Sequence, residues 1–177
     1  NSVITALNLS CNYLEVVSCQ CIADVLQINR SITYLDLWGS QITDQGCKAL
    51  AKSMEENWSL TQLNLRMNAI NQIGCESLAE ALRINSTLSS LNLQKNNLNL
   101  NDQALSALLL ALSRNGSLIV LMADFPLRWI SELLKANKLR SVPLTTKVPL
   151  CDALLSIVRN DPEVVQIVLR HVTVLLP

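Results

Sequence analysis

An eleven-residue segment recurs in this chain at a fixed step of 28 residues, and that repetition limits the fold more than any other feature. The copies begin at Ile4, Ile32, Leu60 and Leu88 and follow the pattern L-x-x-L-x-L-x-x-N-x-L. The third copy reads Leu60-Thr61-Gln62-Leu63-Asn64-Leu65-Arg66-Met67-Asn68-Ala69-Ile70. The second carries Ser40 where the others carry Asn12, Asn68 and Asn96. A fifth copy opens at Leu118 after a step of 30, keeps Leu121 and Ala123, and fails at Pro126.

The second part of each unit repeats as well. Cys47, Leu50, Ala51 and Met54 have helical spacing, matched by Cys75, Leu78, Ala79 and Leu82, and by Cys19, Ile22, Ala23 and Leu26. Ala104, Leu105, Leu108, Leu109 and Leu112 take these places in the fourth unit, after a two-residue insertion near Asn99 to Asn101. Gly46 and Gly74 stand at helix entrances. Asn29, Asn57, Asn85 and Asn115 close the helices, each with Ser or Thr two residues on. Asn tolerates the left-handed backbone that commonly ends a helix, which is the expected reason for it here.

A strand of four residues is not stable alone. Stacking units in parallel buries the Leu residues of x-L-x-L on one side and pairs each strand with the next. Leucine supplies 35 of the 177 residues, against one Phe, two Tyr and three Trp, so the core is aliphatic and layered. With half its residues hydrophobic, the chain buries enough surface to offset its conformational entropy and is not a disordered one.

The repeated motif resembles the leucine-rich repeat family, in its 28-residue ribonuclease-inhibitor-like class. The resemblance covers residues 4 to 123 and implies an α/β solenoid, with short parallel strands on a concave face and helices on a convex one. It also implies that Asn12, Asn68 and Asn96 form a buried ladder bonding backbone groups of adjacent turns. Ser40 is expected to weaken that ladder locally without breaking it.

Residues 1–123 read as the repeat domain and 124–177 as a helical C-terminal segment. Helices are expected over 127–139, 148–158 and 162–175, the last opened by Asp161-Pro162-Glu163 as cap, first-turn Pro and acidic first turn. Val164 to Leu176 is apolar nearly all round, as in a buried helix. It either caps the open end of the solenoid, with the previous helix as a HEAT-like hairpin, or docks against another segment or subunit. The opening Asn1-Ser2-Val3-Ile4 reads as the inside of a repeat, so a longer chain is expected.

Chemistry-bearing motifs are sparse. Cys19, Cys47 and Cys75 fall one repeat apart and read as a buried column, while Cys11, Cys21 and Cys151 are out of phase. No C-x-x-C occurs, so no metal site is expected, and free thiols fit a reducing, cytoplasmic compartment. Five N-glycosylation sequons are present, but four recur because the repeat's own turn uses Asn and Ser or Thr. His171 is the sole His, and no nucleophile elbow, phosphate loop or dinucleotide fingerprint occurs. The chain is read as a non-enzyme without a cofactor. A net charge of zero argues against nucleic acid or an anionic membrane as partner.

What remains is a surface. Three columns face away from the inward Leu residues: Ala6, Tyr34, Gln62, Ser90; then Asn8, Asp36, Asn64, Asn92; then Ser10, Trp38, Arg66, Gln94, with Met67 and Lys95 alongside. Tyr, Trp and Arg are enriched at interface hot spots. Tyr34, Asp36, Trp38, Asn64, Arg66, Asn92, Gln94 and Lys95 are therefore the candidate binding residues. Against this, amide columns also serve solubility, and Trp38 could simply cover the turn at Ser40. The expected function is a protein-binding or scaffold module acting through this face and the C-terminal helices. The alternatives are a regulator of a small GTPase, as the resemblance allows, or a structural element inside a cytoskeletal or ciliary assembly.

Overall fold

The structure is a computed structural model that describes residues 4–98 and 102–124. Strands and short helices alternate: β1 (Ala6–Asn8), α1 (Val16–Ile28), β2 (Tyr34–Asp36), α2 (Asp44–Met54), β3 (Gln62–Asn64), α3 (Gln72–Ile84), β4 (Ser90–Asn92), α4 (Asp102–Arg114) and β5 (Val120–Met122). The strands form one open parallel sheet in chain order. The register follows the 28-residue step through Leu7, Leu35, Leu63 and Leu91, and Leu121 aligns with Leu91 after the longer step of 30. Each helix packs on the next, α1 on α2, α2 on α3 and α3 on α4. The expected helices at 127–139, 148–158 and 162–175, the insertion at 99–101, Cys151 and His171 lie outside the described residues.

The core lies between sheet and helices. Leu35, Leu37, Leu65, Leu91, Ile42 and Ile70 are fully enclosed with Leu50, Leu78 and Leu82 from the helices. Each such side chain contributes roughly 2 kcal/mol by leaving water. Cys19, Cys47 and Cys75 are also fully buried and unpaired, as a repeating column of small side chains.

Two of the glycines are dictated by close approach. A Cβ on Gly74 would stand 2.6 Å from Ile70 Cγ2 and 2.7 Å from Asp44 Oδ1. The second neighbour has a purpose: Asp44, from the preceding unit, accepts hydrogen bonds from the backbone N–H groups of Asn71 and Gly74 at 2.7 and 2.9 Å. It thereby caps α3 across units, where Asn71 makes no side-chain cap of its own. Gly46 is equally confined, with Cys19 Sγ 2.7 Å from its notional Cβ.

The asparagines that close the helices do something other than expected. Asn29 and Asn85 have φ of −75° and −66° with extended ψ, so left-handed tolerance is not their role. Their side chains form a ladder instead. Asn57, Asn85 and Asn115 donate from Nδ2 to the carbonyls of Leu26, Met54 and Leu82 at 2.7, 2.8 and 2.7 Å, one unit back. Each Oδ1 accepts from the backbone N–H groups two and three residues on, as Asn85 does from Thr87 and Leu88. A buried amide with all these partners satisfies backbone groups that would otherwise be stranded. The sequons in these turns are thus structural, and Asn57 is completely buried.

A second ladder runs at the strand exits, but without Asn12, which is exposed and donates only to the Leu9 and Ser10 carbonyls of its own turn, there being no earlier described turn for it to reach. Asn68 and Asn96 donate from Nδ2 to Leu37 and Leu65 carbonyls, both at 2.9 Å, and Asn68 Oδ1 accepts from Ser40 and Ile42 N–H groups. Ser40 holds its place in the ladder: it is fully buried and its hydroxyl donates to the Leu9 carbonyl at 3.1 Å. Its short side chain does not reach Leu14, whose N–H goes to the Ser40 backbone carbonyl at 3.0 Å. The backbone adjusts, and Gln41 takes a left-handed φ of 58° in addition to the left-handed position shared by Cys11, Gly39, Met67 and Lys95.

Candidate functional site

The two ladders hold the sheet in register and fix the side chains on its outer face, away from the helices. The three columns found in the sequence lie on this face, since Ala6, Tyr34, Gln62 and Ser90 pair in register, as do Asn8, Asp36, Asn64 and Asn92.

The middle column is committed to local structure. Asn8, Asp36, Asn64 and Asn92 each accept a hydrogen bond through Oδ1 from the N–H two residues on, at 2.8, 3.0, 3.1 and 3.0 Å. Each side chain turns the chain out of its own strand, a role Asn and Asp perform readily. Asp36 is also the hub of a small network. Tyr34 Oη donates to its Oδ2 at 3.1 Å, and Asn64 Nδ2 donates to its Oδ1 at 2.9 Å from the neighbouring strand. Burial, then the hydrogen bond and charge of Asp36, push the Tyr34 phenol above its ordinary value. Tyr34 is therefore a protonated donor at neutral pH, fixed in place by Asp36.

The third column is freer. Trp38 is 38% exposed, and Met67, beside Arg66, is 52% exposed. Arg66 is half-buried; its Nε is closed off from solvent and meets no hydrogen-bond partner among the described residues. Gln94 and Lys95 continue this column, and the Lys95 N–H donates to an Asp124 carboxylate oxygen. Of the candidate residues, the side chains of Tyr34, Asp36 and Asn64 are joined by hydrogen bonds, whereas Trp38, Arg66 and Gln94 meet the middle column only through their backbone N–H groups.

Two features were not singled out from the sequence. The columns extend to Val120 and Met122 of β5, 42% and 37% exposed, so the face turns apolar at that strand. The alternation Val120-Leu121-Met122-Ala123 carries this signal in a period of two. A groove of about 650 Å³ also lies along the strand exits, lined by Tyr13, Val16, Val17, Gln41, Thr43 and Met67 among others. It joins residues 54 positions apart and has no local signature. Among the described residues no cluster of three or more His, Cys, Asp or Glu is placed to hold a metal ion. No helix among them is long and apolar enough to cross a membrane.

A family model described as Leucine Rich repeat matches residues 29–51 and 56–79. No curated protein matches the chain in sequence. Among solved structures the chain is similar to leiomodin-1 actin-binding site 2, with a TM-score of 0.72 and 22% identity over 80% of this chain and 84% of that one. It is similar as well to the tropomodulin C-terminal domain of Caenorhabditis elegans, with a TM-score of 0.71 and 17% identity over 80% of this chain and 88% of that one. At these identities the likeness is one of fold.

Proposed function

We propose, from the premise that the chain is a leucine-rich repeat protein, that it is a non-enzymatic protein-binding module acting through the outer face of its sheet. The observation that carries this reading is the division of labour on that face. The middle column is used up in forming the turns, while Trp38, Arg66, Gln94 and Lys95 stand beside it on fixed backbone with no comparable structural duty. An aromatic and a guanidinium in the neighbouring turns just beyond β2 and β3, with backbones roughly 5 Å apart, supply anchors at low entropic cost because these turns are already hydrogen-bonded to each other. In this reading Tyr34, Asp36, Asn64 and Asn92 set the shape of the surface, and we propose residues 124–177 as a helical segment that caps the solenoid or docks against another segment or partner.

Actin is the first partner to test, because the leiomodin-1 structure of similar fold is described as an actin-binding site. A cytoskeletal, cytoplasmic setting follows from that choice and agrees with the free thiols. The experiment is co-sedimentation of the full chain with actin filaments, and gel filtration with monomeric actin, for the natural chain and for Trp38→Ala. Binding that Trp38→Ala weakens at least tenfold supports the reading. Binding that Trp38→Ala leaves unchanged removes the outer face from it.

A further inference from the structure

We propose that Arg66 is the receptor for a carboxylate side chain of the protein partner, with Trp38 packing alongside it. The inference rests on the outer-face reading above and goes beyond it by naming the chemistry of the contact.

The argument begins with charge. The ion pairs found among the described residues are Lys52–Glu55 and Arg83–Glu80, both on helices. Arg66 is in neither, and its Nε is out of contact with both solvent and acceptors. A guanidinium placed in this way has lost part of its hydration without a counter-ion in return, which is unfavourable unless an acceptor arrives. The nearest acid by register is Asp36, diagonal to Arg66 at a backbone separation of roughly 7–8 Å. It is already held by the Tyr34 hydroxyl, the Trp38 N–H and the Asn64 amide, and forms no ion pair with Arg66. Asp124 is turned to the Lys95 N–H.

The planar fork of Arg suits a carboxylate, to which the two terminal Nη groups of Arg66, not its enclosed Nε, offer parallel N–H donors. Trp38 occupies the same repeat position one strand earlier, so it can pack on the apolar stem of an arriving Glu or Asp and exclude water. Lys95, one strand later, adds a second positive charge. The nearby Asp36 carboxylate disfavours a doubly charged group more than a singly charged one. This favours an acidic protein segment over a phosphate-bearing ligand.

The test is selection of random twelve-residue peptides displayed on phage against the full 177-residue chain. The selected peptides are then titrated, with a fluorescent label, against variants. The proposal expects enrichment of Asp and Glu over the input library. It expects a ten- to hundredfold loss of affinity with Arg66→Gln, a smaller loss with Arg66→Lys, and no change with Lys48→Ala on the helical side. Arg66→Lys keeps the charge without the fork, so it stays informative if Arg66→Gln folds poorly. Peptides that lose binding to Trp38→Ala yet show no acidic enrichment, or ignore Arg66→Gln, overturn the proposal and leave the outer-face reading standing. Peptides that bind Trp38→Ala and Tyr34→Phe as well as the natural chain, or recovery of no binder to this face, count against both.

Discussion

The Asn85 side-chain amide donates to the Met54 carbonyl at 2.8 Å, thirty-one residues earlier in the chain. This one contact joins the end of one helix to the end of the previous one, and it recurs through Asn57 and Asn115. Asn85 is 5% exposed, so water cannot replace what it supplies. Asn85→Ala is expected to cost about 3 kcal/mol, because it strands the Met54 carbonyl and the Thr87 and Leu88 N–H groups together. Asn29 makes only the local half of the pattern among the described residues, through Ser31 and Ile32 N–H groups. Asn29→Ala should therefore cost about 1 kcal/mol. Urea unfolding of the two variants checks the difference; equal losses would refute the ladder account.

Helix propensity and packing make opposite predictions at Gly74. In an open helix, Gly→Ala is stabilising by up to about 1 kcal/mol. Here the added methyl group meets Ile70 Cγ2 at 2.6 Å and Asp44 Oδ1 at 2.7 Å. Gly74→Ala is expected to destabilise the chain by about 2 kcal/mol, since overpacking outweighs propensity. A rise in melting temperature on Gly74→Ala would show that Asp44 can move aside without loss of its cap.

Ser40 and Gln41 form the strand exit that departs from the others, with its non-glycine left-handed residue two positions later. The left-handed φ of 58° costs Gln41 about 1 kcal/mol relative to Gly. Gln41→Gly should accordingly stabilise by a few tenths to 1 kcal/mol, the gain being limited by the freer unfolded chain. Ser40→Ala should cost about 1–2 kcal/mol through the lost bond to the Leu9 carbonyl. Thermal melts of both variants decide the sign in each case.

The buried thiols give a pH dependence with a fixed sign. Burial pushes Cys75 up to about 12 and raises Cys47 and Cys19 as well, from an ordinary value near 9. Between these values the folded chain holds protons that the unfolded chain releases. Stability is thus fully present below pH 9 and falls as pH rises toward 12, by at most about 1.4 kcal/mol per pH unit for each thiol. Cys75→Ala should flatten this slope in a denaturant series run at successive pH values. At pH 8 a thiol reagent should modify Cys11 and Cys21 quickly and Cys19, Cys47 and Cys75 only on unfolding.

Much of the fold was legible because a strict 28-residue step encodes strand register directly: Leu7, Leu35, Leu63 and Leu91 align as the spacing requires. The closing asparagines were located by sequence but misread in purpose. An Asn at a helix end is compatible with a left-handed cap, and only the backbone angles show that its amide instead reaches a unit 28 residues back. On the outer face, sequence alternation identified Tyr34, Asp36, Trp38 and Arg66 as neighbours. It could not separate Asp36 and Asn64, consumed by turns and mutual bonds, from Trp38 and Arg66, which are not. That distinction depends on side-chain direction, as does the groove between Tyr13, Val17 and Met67.

The central claim is that partners meet the sheet's outer face. The most direct measurement places a photo-crosslinking residue at Gln62 on that face or at Lys48 on α2, both exposed positions, and compares adduct yields with a bound protein partner. The account predicts adducts at Gln62, lost on adding Trp38→Ala, and few at Lys48. Adducts concentrated at Lys48, or adducts at Gln62 that survive Trp38→Ala undiminished, would contradict it.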